Sequence, residues 1–144
     1  MIRVLSIVAA FAVGATVVYA ESATIGQRQQ AMKAMASAAK EPGAAIKGEA
    51  KFDLAEVHSS LSVYQQQAAK LKDLWSDDSK DGDTNALPAV WEKKDEFLAR
   101  FDKLAADAKA AAAVIKDEET FKAEWPKVMS NCGGCQKEYR KPQQ

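Results

Sequence analysis

Leu54, Val57, Leu61, Tyr64, Ala68, Leu71 and Trp75 recur at steps of three and four without a miss. That period lays seven side chains along one stripe of a helix and excludes a strand, whose period is two. The segment runs from about Phe52 to Trp75 and stops in the polar run Ser76-Asp77-Asp78-Ser79, with Asp81-Gly82-Asp83 continuing the loop. A second stripe follows Pro88, a good first-turn residue: Val90, Phe97, Phe101, Leu104, Ala108, Ala111 and Ile115. A third starts near Glu118 with Phe121, Trp125, Val128, Cys132, Cys135 and Tyr139. Pro126 interrupts that pattern and cannot donate a backbone hydrogen bond, so a kink or a late helix start is expected there.

Ahead of these lies one more amphipathic segment, about Ile25 to Lys40. Ile25, Met32, Ala36 and Ala39 form its apolar side, and Glu41-Pro42-Gly43 is the expected breaker. No stretch alternates with period two. Four helices with short to moderate connections predict an all-α, antiparallel, up-down-up-down four-helix bundle. Many of the inward positions are alanine. A bundle lined that way either packs its helices closely or leaves room for something large and apolar, and composition alone allows both.

Residues 1–20 have the form of a secretory signal. Arg3 supplies the charge, Val4 to Val18 is nearly all apolar, and Val18-Tyr19-Ala20 sets small residues before a cut after Ala20. The apolar run is short for a membrane span and no lysine or arginine cluster follows it, so no lasting membrane insertion is expected. Residues 21–144 then form a single domain with 19 basic and 20 acidic side chains. That balance argues against a nucleic-acid partner. Export would place both cysteines in an oxidising compartment, where a disulfide, a ligand pair or cofactor attachment is expected.

Cys132-Gly133-Gly134-Cys135-Gln136 is one residue away from C-x-x-C-H, the attachment sequence of c-type haem. Three steps of a helix put both sulfurs on one face, aimed into the bundle. Zinc needs four donors, and besides the two cysteines the chain has a single histidine, His58. A thioredoxin-like pair needs a βαβ setting, which is missing. A disulfide is geometrically possible but closes a tiny loop. Haem attachment ranks first, a disulfide second, metal third. His58 falls beside Val57, off the second segment's buried stripe, and reads as a surface residue; Lys137 faces away from the cysteines. No nucleophile, base and orienting group assemble around one motif, so no enzyme is expected.

Three motifs carry a resemblance. Arg28-Gln29-Gln30-Ala31-Met32-Lys33-Ala34-Met35, Leu87-Pro88-Ala89-Val90-Trp91 and Cys132 to Arg140 resemble, in that order, the first-helix, third-helix and haem motifs of the class II c-type cytochromes, the cytochrome c′ family. The bundle is that family's known architecture. The resemblance implies one covalent haem c on Cys132 and Cys135, with Arg28 and Gln29 near the haem propionates unless they form a solvated helix face. Met32 falls at the distal position, where a methionine marks the low-spin, electron-transfer type and an apolar residue the type open to small gases. Asn85 matches a position where some members carry an acidic haem contact. Gln136 replaces the axial histidine, and an amide oxygen is a poor iron donor.

The implied function is periplasmic electron transfer with redox partner proteins, and a homodimer is open. Gas binding (nitric oxide or carbon monoxide) and a haem-free bundle with a Cys132–Cys135 disulfide are the alternatives.

Overall fold

The stripes read for the second, third and fourth segments all line one shared core. The chain is represented by a computed structural model that describes the backbone of residues 12–142 and the side chains of residues 23–142. Most of the expected leader therefore lies outside the described residues. Six α-helices follow in order: α1 (Ala12–Ala38), α2 (Lys40–Ile46), α3 (Leu54–Leu71), α4 (Ala89–Glu92), α5 (Lys94–Val114) and α6 (Glu118–Tyr139), with a 3-10 turn at Asp77–Ser79. The long helices α1, α3, α5 and α6 make the four-helix bundle. Among the described residues there is no strand, only an isolated antiparallel bridge between Ala86 and Arg140.

Two helix starts are set by side-chain caps. Asp53 accepts from the Glu56 amide at 3.1 Å and opens α3. Asp117 accepts from the Thr120 amide at 2.8 Å, while the Thr120 hydroxyl oxygen accepts from the Asp117 amide at 3.2 Å. Each such cap is worth about 1 kcal/mol. Pro126 does not delay α6, which begins at Glu118 and runs through it. Its side chain is on the exposed face, so the Lys122 carbonyl that loses a donor is open to water.

Glu41-Pro42-Gly43 does not break the chain as expected. The Ala39 amide donates to Met35 O (3.2 Å) and the Gly43 amide to Ala39 O (2.9 Å), so helical bonding carries on from α1 into α2. Pro42 sits in the first turn of α2, where an N–H has no intrahelical partner to lose.

The first helix also faces differently from expectation. Ile25, Arg28, Ala31 and Met35 are buried, whereas Met32 and Ala36 are exposed. The shift follows from Arg28, a charged residue that an apolar count leaves outside but that stacks on aromatic rings inside. Leu54, at the end of its stripe, is exposed too.

The core is less alanine-lined than composition suggests. Ala31, Ala45, Ala68, Ala108 and Ala111 are buried, but Ala36, Ala69, Ala106, Ala110 and Ala113 are on the surface. Large side chains do most of the filling. Trp75 meets Phe97 edge-on at 4.6 Å, and Phe97 meets Phe101 at 5.1 Å and Tyr139 at 4.9 Å. Each large apolar side chain so buried contributes about 1.5–3 kcal/mol.

Helix α3 packs along α1 and α5, and α5 packs along α6, but among the described residues α1 and α6 do not pack along one another. The segment after α3 closes one end of that opening. It binds α6 through Leu87 N–H to Tyr139 O (2.9 Å) and Lys141 N–H to Asn85 O (2.8 Å).

Candidate functional site

Helix α6 carries the cysteine pair. At about 100° per residue, Cys132 and Cys135 each lie within about 20° of a fully buried neighbour on the helix circumference, Phe121 for one and Val128 for the other. Both cysteines are nevertheless only half-buried, and both are free thiols. They belong to the inward arc at a level where inward neighbours are missing. Burial pushes the Cys132 thiol up. Burial also pushes Cys135 up to about 11, against the opposing pull of the Arg100 guanidinium. Both are protonated at neutral pH.

Polar contacts from α5 hold this part of α6. Glu138 takes Lys93 at 3.0 Å and Arg100 at 3.2 Å. Asn131 donates to Asp107 (2.8 Å) and to the Val128 carbonyl (3.1 Å). The Lys103 ammonium, and then the Asn131 amide, hold the Asp107 carboxyl below its ordinary range. On the other flank the buried Tyr64 hydroxyl donates to Met129 Sδ at 3.6 Å, and burial raises it well above the usual phenol range.

Helix α1 supplies Arg28, Gln29 and Met32. Arg28 is not on a solvated face: it is 4% exposed, with its guanidinium 4.5 Å over the Trp75 ring and 5.8 Å from Trp91. Nη2 donates to Ser79 O at 2.8 Å, but Nε and Nη1 are buried without a partner. Burial lowers its pKa from the ordinary value. The Trp75 Nε1–H, packed against this guanidinium, is buried and unpaired as well. A buried donor left unmade costs about 1–3 kcal/mol, so this cluster is chemically incomplete and suited to an anionic oxygen. Gln29 is exposed and donates to Asp83 O at 3.0 Å.

Met32 lies between Ile25 and Arg28 on the circumference of α1, and both of those are buried. Its own side chain is 36% exposed. The position is inward by helical phase and uncovered in fact, as the cysteines are on α6. An exposed methionine, two half-buried thiols and a guanidinium with Nε and Nη1 unpaired, on two helices that share little packing among the described residues, fit a flat apolar group bearing carboxylates.

The other expected residues are placed as follows. Gln136 is exposed, and its Oε1 accepts from Arg140 Nη1 at a long 3.5 Å. Asn85 and Lys137 are exposed. His58 is not a surface residue: it is half-buried and its Nε2 donates to Ile115 O at 2.9 Å, pinning α3 to the α5–α6 corner. That corner precedes Glu118, fourteen residues before Cys132 and therefore about 21 Å away along α6. His58 is out of reach of the cysteine pair. An open groove of about 610 Å³, lined by Ile46, Lys47, Phe52, Glu118 and Lys122 among others, is at that same far end.

Sequence reasoning missed Trp75 Nε1, Tyr64–Met129 and Asn131–Asp107. Trp75 and Tyr64 were legible only as core, and the pairings span from 24 to 65 residues, with no local signal.

The family model for cytochrome C' matches residues 23–140. The chain is 41% identical to a cytochrome c′ of Rhodopseudomonas palustris over 140 residues, 96% of each chain. It is 32% identical to a cytochrome c-556 of Agrobacterium tumefaciens over 123 residues, 84% of this chain and 97% of that one. The solved cytochrome c′ from Rhodopseudomonas palustris superposes with a TM-score of 0.82 at 44% identity, over 84% of this chain and 98% of the other.

Proposed function

The chain belongs to the cytochrome c′ family, and from that premise we propose that it is an exported electron carrier whose haem c is held by Cys132 and Cys135 and faced by the Met32 thioether. Proteins of this family bind covalent haem c and are electron carriers or gas binders rather than typical enzymes. They are periplasmic and often dimeric, and no described helix of this chain is long and apolar enough to cross a membrane.

One observation carries the reading. Met32 on α1 and the cysteine pair on α6 sit within inward arcs, yet all three are incompletely covered, and among the described residues these two helices share little packing. When bound, haem supplies one-electron exchange at iron. The chain's own residues do the rest. Cys132 and Cys135 tether by two sulfurs one helical turn apart. Arg28 would offer its two unpaired nitrogens, Nε and Nη1, to a propionate carboxylate, a charge-assisted contact. Trp75 Nε1–H adds a third donor beside it. Met32 offers a soft thioether, which favours the reduced metal and occupies the position a gas would take. Gln136 offers only an amide oxygen already shared with Arg140, so the proximal side is weakly held.

A second reading, gas binding, has its own support: identity is higher to the cytochrome c′ than to the cytochrome c-556. In that reading Met32 packs against the pocket and does not ligate.

The exported chain should weigh one haem more than its residues from Glu21 onward. A mass of amino acids alone would overturn the haem reading, and free thiols appearing only after reduction would favour the disulfide-bearing bundle. Carbon monoxide added to the ferrous protein should leave the visible spectrum unchanged if Met32 ligates. A clear shift in the parent protein would favour the gas reading. Replacing Gln136→His should raise the yield of stably pigmented protein several-fold, read by absorbance per chain.

A further inference from the structure

Met129, Cys132 and Cys135 follow one another on α6 at three-residue steps, which sets neighbouring Cβ atoms about 5–6 Å apart. All three are half-buried. The buried Tyr64 hydroxyl fixes one member of the row, donating to Met129 Sδ at 3.6 Å. The donors gathered here are soft and few. Among the described residues no three His, Cys, Asp or Glu side chains converge, and His58 is at the other end of α6.

That donor set selects strongly by chemistry. Zinc asks for four ligands, and hard cations ask for oxygen. Two thiolates with a thioether beside them suit a soft monovalent ion of low coordination number. We infer that the haem-free chain binds one Cu(I) between the Cys132 and Cys135 sulfurs, with Met129 Sδ as a third soft contact.

The ion enters as Cu(I) and leaves as Cu(I), so no electron moves. Two S–H bonds break, two Cu–S bonds form, and both protons pass to solvent. The dithiolate complex carries one negative charge. Haem attachment consumes the same two sulfurs, so copper and haem exclude one another on this helix. A chain that has taken up copper first cannot be loaded with haem until the ion is removed. This inference concerns the chain before any haem is attached, and it stands or falls separately from the electron-transfer reading.

The test is an anaerobic titration of the reduced, haem-free mature chain with Cu(I) against bicinchoninate as a competing chelator. One Cu(I) per chain is expected. Cys132→Ser and Cys135→Ser should each weaken it by about 100-fold or more, and Met129→Leu by a few-fold. X-ray absorption at the copper edge of the unaltered chain should show a shell of sulfur alone, and Zn(II) in excess should not displace the ion. Binding undiminished in Cys132→Ser would overturn the inference. So would a nitrogen or oxygen shell, displacement by Zn(II), or a haem-free chain without helical far-UV dichroism.

Discussion

Helices α3 and α5 pack along each other; among the described residues α1 and α6 share no such packing. Along α3, Val57, Leu61, Tyr64, Ala68 and Leu71 are buried, and along α5 so are Phe97, Phe101, Leu104, Ala108 and Ala111. Each apolar stripe covers the other. The α1 and α6 side is built from the same kind of helix, yet it buries an arginine with two unpaired nitrogens and leaves Met32, Cys132 and Cys135 part-covered. The contrast shows that inward phase and burial are separate properties. Phase is a matter of 100° per residue, while burial needs a partner.

Emptying a fully packed position of the shared core should cost most, even on α6. Phe121 is fully buried against Phe52 and Trp125, and Phe121→Ala should destabilise the chain by about 3–5 kcal/mol, read as a lower denaturant midpoint. A cost under about 1 kcal/mol would mean that the core is looser than its contacts imply. Asp117→Ala removes the cap of α6 and should cost about 1 kcal/mol by the same measurement.

Asn131→Ala sharpens the comparison at the seam between α5 and α6, with an expected loss of about 0.5–1.5 kcal/mol. It should also change the acid limb. Asp107 is held below the ordinary carboxylate range when folded, so its contribution is present above about pH 4 and fades as pH falls through the lower, folded value. Losing the Asn131 contact should make that fade shallower. The smallest effect belongs to Met32→Ala in the haem-free chain, under about 0.5 kcal/mol, because little protein surface is lost with it. The same substitution in haem-bearing protein should be plain in the absorption spectrum. A large stability loss in the haem-free chain would show that Met32 already has a protein partner.

Much of the bundle was legible beforehand. Every stripe position from Val57 to Ile115 named in advance is buried, because a run of steps of three and four admits one helix and one face. On the first helix an apolar count keeps Ile25 but misses Arg28, Ala31 and Met35, so the buried face is displaced toward Arg28. The rings of Trp75 and Trp91, at 47 and 63 residues' distance, and the Ser79 carbonyl make its burial tolerable. The breaker at Pro42 failed for a local reason: a proline in a first turn has nothing to lose. His58 was assigned to the surface on phase alone, and the Ile115 carbonyl that engages it lies 57 residues on.

What the order of residues determined by itself is everything with a short period or a short motif: four amphipathic helices, the cysteine pair on an inward arc of the last one, and glutamine where the haem motif has histidine. What only the tertiary structure decided is which inward positions find a neighbour. That depends on how helices far apart in the chain are spaced, and a helix cannot encode the distance to a partner it meets only after folding. The pairing of Tyr64 with Met129, the unpaired Arg28 and Trp75 donors, and the partial cover of Met32 all follow from that spacing.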